Sequence, residues 1–128
     1  MANIKTKSFG SPSAGAFDVL GIRSIGIAAG EFIDRVVIND VVHGGQGGSP
    51  VTPITLAADE YVNEIGIIAR PGSYVSYLKF TTNKGQSIEA GNQTITPTVV
   101  SNIKLLGIVG HSGWYIDEIE FIYDDLNA

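Results

Sequence analysis

One feature limits what this chain can fold into more than any other: a segment occurs three times. The stretches "SIGIAAGEFIDRVVIND" at 24–40, "EIGIIARPGSYVSYLKFTTN" at 64–83 and "LLGIVGHSGWYIDEIEFIYD" at 105–124 align. Each begins with an apolar residue followed by Gly-Ile: Gly26-Ile27, Gly66-Ile67 and Gly107-Ile108. A turn then ends in Gly30, Gly72 or Gly113. An aromatic follows two residues later (Phe32, Tyr74, Tyr115), and two further on stand Asp34, Ser76 and Asp117. Equivalent positions recur about every 41 residues, close to a third of the chain, as in a structural unit used three times.

Inside each unit the period is two. Phe32, Asp34, Val36 and Ile38 fall on one face, and Ile33, Arg35 and Val37 on the other. Likewise Ile116, Glu118, Glu120 and Ile122 alternate with Tyr115, Asp117, Ile119, Phe121 and Tyr123. Alternation in Val, Ile, Tyr and Phe is the signature of strands, so each unit reads as strand-turn-strand. A lone hairpin is marginal in water, which predicts three sheets packed through their apolar faces around a pseudo-threefold axis. The whole chain, 1–128, is expected to form one all-β domain, since 128 residues with 44% apolar content can bury a real core.

Composition removes several function classes. The net charge is −5, and the eight Lys and Arg form no run, so neither nucleic acid nor an anionic membrane surface is an expected partner. No apolar run reaches the ~20 residues of a membrane span, so no membrane insertion is expected. The start, "MANIKTKSFG", has no apolar signal core. The expectation is therefore a cytoplasmic protein, or one released without a signal peptide. No cysteine is present, which rules out disulfides and thiolate chemistry. Catalytic patterns fail as well. "GHSGW" at 110–114 has Trp114 where a nucleophile elbow needs glycine. "GGQGG" lacks the Lys-Ser/Thr ending of a phosphate-binding loop. Two histidines, His43 and His111, are too few for a zinc site. No enzyme activity, metal or cofactor is expected.

The segments between the units are rich in small residues: "FGSPSAGAFD" at 9–18, "HGGQGGSP" at 43–50 and "KGQSIEAGNQTITP" at 84–97. A glycine-rich loop can bring backbone N–H groups against a ligand, although such a loop on its own is most often a surface turn.

In their order and spacing, "GIRSI" at 21–25, "LKFTTNKG" at 78–85 and "GIVGHSGWYIDEIEF" at 107–121 resemble the jacalin-related lectins, from about Lys5 to Tyr123. The resemblance implies the β-prism I fold: three four-stranded antiparallel Greek-key sheets. It also implies a metal-free sugar site where a Gly-x-x-x-Asp turn meets a facing glycine-rich loop. There the aspartate accepts from the 4- and 6-hydroxyls of a hexose. The two residues after the glycine donate backbone N–H groups, and the facing loop donates one more. Charge-assisted hydrogen bonds to hydroxyls suit a carboxylate well.

Carried over, the last repeat gives Gly113, Trp114 and Tyr115 with Asp117 as the carboxylate. Its facing donor would be Ala14, with Gly15 as the fallback, because the loop departs from the family's glycine pattern. The first repeat gives Gly30, Glu31 and Phe32 with Asp34, faced by Gly45. This arrangement is similar to two-site members of the family. The middle repeat has Ser76 in place of aspartate and "EAGNQT" in place of the glycine-rich loop, so no site is expected there. Trp114 directly follows the turn glycine and is placed on the rim, where an aromatic can stack on a sugar. The galactose-binding branch of the family uses a free N-terminal glycine made by chain cleavage. Here the corresponding loop is internal to one chain. The expected partners are mannose- and glucose-containing glycans, with a homodimer or higher homo-oligomer for avidity. The alternative is a β-prism module that binds protein.

Overall fold

In the computed structural model, which describes residues 3–13, 15–70 and 72–127, every regular element is a strand. Three antiparallel sheets form. The first pairs β1 (Ile4–Gly10), β13 (Ile116–Asp125), β12 (Ile103–Ser112) and β2 (Gly15–Leu20), in that order. The second runs β5 (Val41–Gly44), β4 (Ile33–Ile38), β3 (Ser24–Ala29), then a broken edge. That edge consists of β6 (Ser49–Pro50) and β7 (Ile54–Thr55), both on β3. Pro50 and Pro53 explain the break, because neither has an N–H for the ladder. The third sheet is β10 (Ser87–Gly91), β9 (Val75–Thr82), β8 (Val62–Ala69) and β11 (Thr98–Ser101).

The three repeats are the central hairpins: β3–β4, β8–β9 and β12–β13. The second and third sheets take their outer strands from the segment that follows the hairpin. The first differs. Its central hairpin comes from the end of the chain and its outer strands from residues 4–20.

The inward faces meet in one core rich in isoleucine, including Ile27, Ile38, Ile65, Ile108 and Ile119, all fully or almost fully buried. Phe80 and Phe121 cross edge-on at 6.1 Å, joining two sheets. Truncating such a side chain to alanine costs about 3–5 kcal/mol, through lost transfer energy and the cavity left behind. Val36 and Ile38, and Ile119, Phe121 and Tyr123, which alternation groups on one face of each strand, are buried on the inner face. Ile33 and Ile116 depart from the alternation: both belong to the outward parity and both are fully buried. The reason lies in the hairpins. Each carries a β-bulge at its turn end, between Ala28 and Ala29, Ile68 and Ala69, and His111 and Ser112. A bulge bends the strand and re-aims its next side chains.

Candidate functional site

The three bulged hairpins end at the same pole of the prism. Ala29 pairs with Ile33 and Ser112 with Ile116, so the first and last repeats close in three-residue turns, 30–32 and 113–115. Each is braced internally: the N–H of Gly30 donates to the Phe32 carbonyl at 3.0 Å, and that of Gly113 to the Tyr115 carbonyl at 3.1 Å. In the middle repeat Ala69 pairs with Val75, which leaves a longer turn, 70–74. The turn is two residues longer than its counterparts, a difference that matching the repeats on Gly72 does not show. The aromatics of the three turns converge on the axis. Phe32 lies 5.1 Å from Tyr74 and 5.4 Å from Tyr115, and Tyr74 lies 4.7 Å from Tyr115, ring centre to ring centre.

Asp34 and Asp117 follow two residues after these aromatics, at the inward parity of β4 and β13. They are the last inward positions before the pole. The carboxylates are therefore recessed, with Asp34 6% and Asp117 9% exposed. Among the described residues no hydrogen bond reaches either carboxylate, and neither has an oxygen sealed away from solvent. A recessed anion costs free energy unless something compensates, and the compensation available here is solvent or a ligand.

A loop faces each of these positions by one recurring device. Gly10, Gly44 and Gly91 have φ of +93°, +127° and +102°, which only glycine adopts without strain. Each lies flat against the backbone carbonyl of Asp117, Asp34 or Ser76, where a Cβ would overlap it. The next residue then donates its N–H to that same carbonyl: Ser11 to Asp117 at 3.3 Å, Gly45 to Asp34 at 2.8 Å and Asn92 to Ser76 at 2.9 Å.

Here the structure differs from the sequence expectation at Gly45. Its N–H is committed to the Asp34 carbonyl, so it is not free to face a ligand. Gly45 is buried, and a Cβ on it would run into the Trp114 backbone. The residues that lie on the Asp34 carboxylate are Gly47 and Gly48: a Cβ on Gly47 would stand 2.7 Å from Oδ2, and one on Gly48 would overlap Oδ1. Arg35 fixes this loop by donating from Nη1 to the Gly47 carbonyl at 2.8 Å. Ala14 lies outside the described residues. Gly15 opens β2 opposite Ser112, beyond the loop tip, whereas Ser11 and Ser13 border the Asp117 cleft.

The turns serve a second purpose, because each cleft is closed by the turn of another repeat. Asp117 with Ser11 and Ser13 is bordered by 72–74, in a cleft of about 290 Å³. The glycine loop 44–46 is bordered by Gly113 and Trp114, enclosing about 410 Å³. Ser76 with Asn92 and Thr94 is bordered by Glu31 and Phe32, enclosing about 430 Å³. Glu31 and Trp114 thus each border a cleft of another repeat as well as the turn of their own. Trp114 is 79% exposed, and its backbone lies against Gly45 in the glycine loop of the first repeat. Beneath that loop the His43 ring stacks on Phe17 at 4.4 Å, and its Nε2 is buried without a hydrogen-bond partner among the described residues. Burial holds the His43 pKa below its usual value. His111, by contrast, contacts Glu118 at 2.7 Å.

Residues 6–122 match the Jacalin-like lectin domain family. The chain belongs to that family. It is 30% identical over 119 residues to griffithsin from Griffithsia sp., covering 92% of this chain and 95% of griffithsin. The jacalin-like fold is equally visible in solved structures. Wild-type Malaysian banana lectin superposes with a TM-score of 0.79 at 23% identity, covering 98% of this chain and 99% of that one. A mannose-specific jacalin-related lectin from Morus nigra, solved in complex with mannose, gives a TM-score of 0.73 at 23% identity, over 96% and 94% of the two chains. These structures share with this chain the β-prism arrangement of three sheets.

Proposed function

We propose that this chain is a non-catalytic lectin that binds mannose- or glucose-type hexoses in two clefts, one at Asp34 and one at Asp117. The observation that carries this reading is the pair of recessed carboxylates. They occupy equivalent positions, lack hydrogen-bond partners among the described residues, and lie under loops whose backbones approach closely. A carboxylate in that setting accepts from two neighbouring hydroxyls at once, and a hexose presents its 4- and 6-hydroxyls as such a pair. The backbone N–H groups of Glu31 and Phe32, and of Trp114 and Tyr115, lie in turns outside the strand ladders, so they are available as donors. In the first cleft we assign the facing backbone to Gly47 and Gly48 rather than Gly45. Family membership supports a saccharide ligand, and the mannose complex of the Morus nigra lectin supports mannose in particular. Shallow, open clefts bind one sugar weakly, so avidity would come from two clefts and from pairing of chains in a homodimer.

Titration of methyl α-mannoside by calorimetry tests the reading. The wild type should bind two sugars. Asp34→Asn and Asp117→Asn should each bind one, and the double variant none, because an amide replaces one acceptor and removes the charge, losing about 1–3 kcal/mol of contact. Undiminished binding by the double variant would refute the assignment.

A further inference from the structure

The cleft of the middle repeat has different chemistry from the other two. Ser76 stands where they have a carboxylate, and its Oγ turns back to the Ile68 carbonyl at 3.4 Å. In place of the lost anion the cleft gains a cation. Arg70 opens the longer turn 70–74 and lines the cleft. Among the described residues the other repeats offer no free cation at the matching position: two before the turn glycine stand Ala28 in the first repeat and His111 in the last, where Glu118 engages it. Arg70 is exposed and forms no salt bridge among the described residues. Opposite it, the turn of the first repeat contributes Glu31, also exposed and unpaired among the described residues. That turn is held in place by Asn92, whose Nδ2 donates to the Glu31 carbonyl at 3.1 Å. The cleft is therefore built, with a fixed far wall, and is not merely the gap left by a degenerate repeat.

We infer that this third cleft binds an anionic saccharide, whose carboxylate or sulfate pairs with Arg70 while its hydroxyls reach Glu31, Ser73 and Ser76. A guanidinium presents a planar fork of donors that matches a carboxylate or sulfate edge. Glu31 selects for hydroxyls at the far end, because a carboxylate accepts from O–H groups and repels a second anion. A small inorganic anion satisfies only one end of the cleft, whereas an acidic hexose satisfies both. The whole chain carries a net charge of −5, so its long-range field opposes such a ligand. Recognition then rests on the local pair with Arg70 and should weaken as salt screens it.

The inference rests on the lectin reading only in taking the clefts to be sugar sites, and the two can fail separately. Methyl β-glucuronide and galactose 6-sulfate are titrated at low and high salt against three proteins: the wild type, Arg70→Gln, and the Asp34→Asn/Asp117→Asn double variant. The wild type and the double variant should bind at least one acidic sugar equally, and the better of the two identifies the anion. Arg70→Gln should lose roughly tenfold in that affinity, the order expected for one charge-assisted pair, with methyl α-mannoside binding unchanged. High salt should weaken the acidic sugar and not the mannoside. Absence of acidic-sugar binding beside intact mannoside binding would overturn this inference alone. So would acidic-sugar binding that survives Arg70→Gln or disappears in the double variant. Loss of mannoside binding in the wild type would instead strike the lectin reading.

Discussion

The N–H of Gly45 donates to the backbone carbonyl of Asp34 across 2.8 Å, so the loop that covers the carboxylate is anchored on the carboxylate's own residue. Loop and acceptor then move as one body, which spares the site the entropy of ordering a loop when a ligand arrives.

That coupling depends on Gly44. Its φ is +127°, and a Cβ there would meet the Asp34 carbonyl and come within 2.7 Å of the Arg35 Cα. Gly44→Ala should cost about 2–4 kcal/mol in stability and abolish sugar binding in the first cleft. Gly72 is also left-handed, at +74°, yet nothing lies within 4 Å of where its Cβ would stand. Gly72→Ala should cost only about 1 kcal/mol, from the backbone alone. Urea unfolding of the two variants measures the difference.

Trp114 should matter most to the cleft of the other repeat. Trp114 borders the 44–46 loop, where its backbone lies against Gly45 and its side chain is largely exposed. Trp114→Ala should therefore weaken mannoside binding about three- to tenfold in an Asp117→Asn background, where only the first cleft is active, since aromatic packing contributes roughly 0.5–1.5 kcal/mol. In an Asp34→Asn background the affinity should change little. Calorimetry on the two double variants tests this, and equal losses would contradict the cross-repeat arrangement.

His43 should make stability depend on pH. Burial lowers its folded pKa, and Nε2 has no partner among the described residues, so the folded chain prefers the neutral ring. The unfolded chain takes up a proton near the ordinary value of 6.5, while the folded chain resists. Stability conferred by the neutral ring is thus present above about pH 6.5 and is lost as the pH falls below it. His43→Phe keeps the stack on Phe17 and removes the unpaired nitrogen. It should raise stability by about 1 kcal/mol, with a larger gain at pH 5 than at pH 7.5. Thermal melts at the two pH values check the sign.

At the opposite edge of the first sheet, Lys5 donates to Asp125 at 2.7 Å. The Lys5 ammonium, followed by Asn127, lowers the Asp125 pKa from 3.8 to about 2. The folded value lies below the unfolded one, so this pair stabilises the chain above about pH 4 and is lost as the pH falls through the folded value. Asp125→Asn should melt below the wild type at pH 6, and the two curves should converge near pH 2. The pair is exposed, so 0.5 M salt should also narrow the gap.

Much of the architecture could be read from the sequence, because period-two alternation and a threefold repeat both report backbone geometry directly. Alternation alone groups the faces that end in Ile38 and Tyr123, and burial shows those faces to be the inner ones. The burial of Ile33 and Ile116 is not legible, since a bulge leaves no mark on residue type. Asp34 and Asp117 are legible as candidates because their Gly-x-x-x-Asp turns resemble those of the jacalin-related lectins. Their facing loops are less so. A run such as Gly44-Gly45-Gln46-Gly47-Gly48 offers several residues able to take positive φ, and nothing local says which will. The structure uses Gly44 to turn, Gly45 to anchor and the last pair to lie on the carboxylate. Gly10 and Gly91, its counterparts, stand alone in their loops and gave no such signal. Arg70 has no signature in the sequence, because the three repeats match on glycine while the longer turn of the middle one does not show in residue type.

The first sheet joins residues 4–20 to residues 103–125, and this governs the order in which the molecule can be made. During synthesis the second and third sheets can complete themselves from contiguous chain. The first cannot, because β1 and β2 emerge early and find their partners only when the last hairpin appears. Until then two finished sheets present apolar faces with nothing to close them. The slow step of folding should be this final capture of the early strands across about a hundred residues of intervening chain, since closing so long a loop precedes any reward from the contacts it makes. Residues 4–20 therefore act as a latch. Substitutions that weaken their pairing with β12 and β13 should slow folding and prolong the aggregation-prone interval, while leaving the other two sheets unchanged.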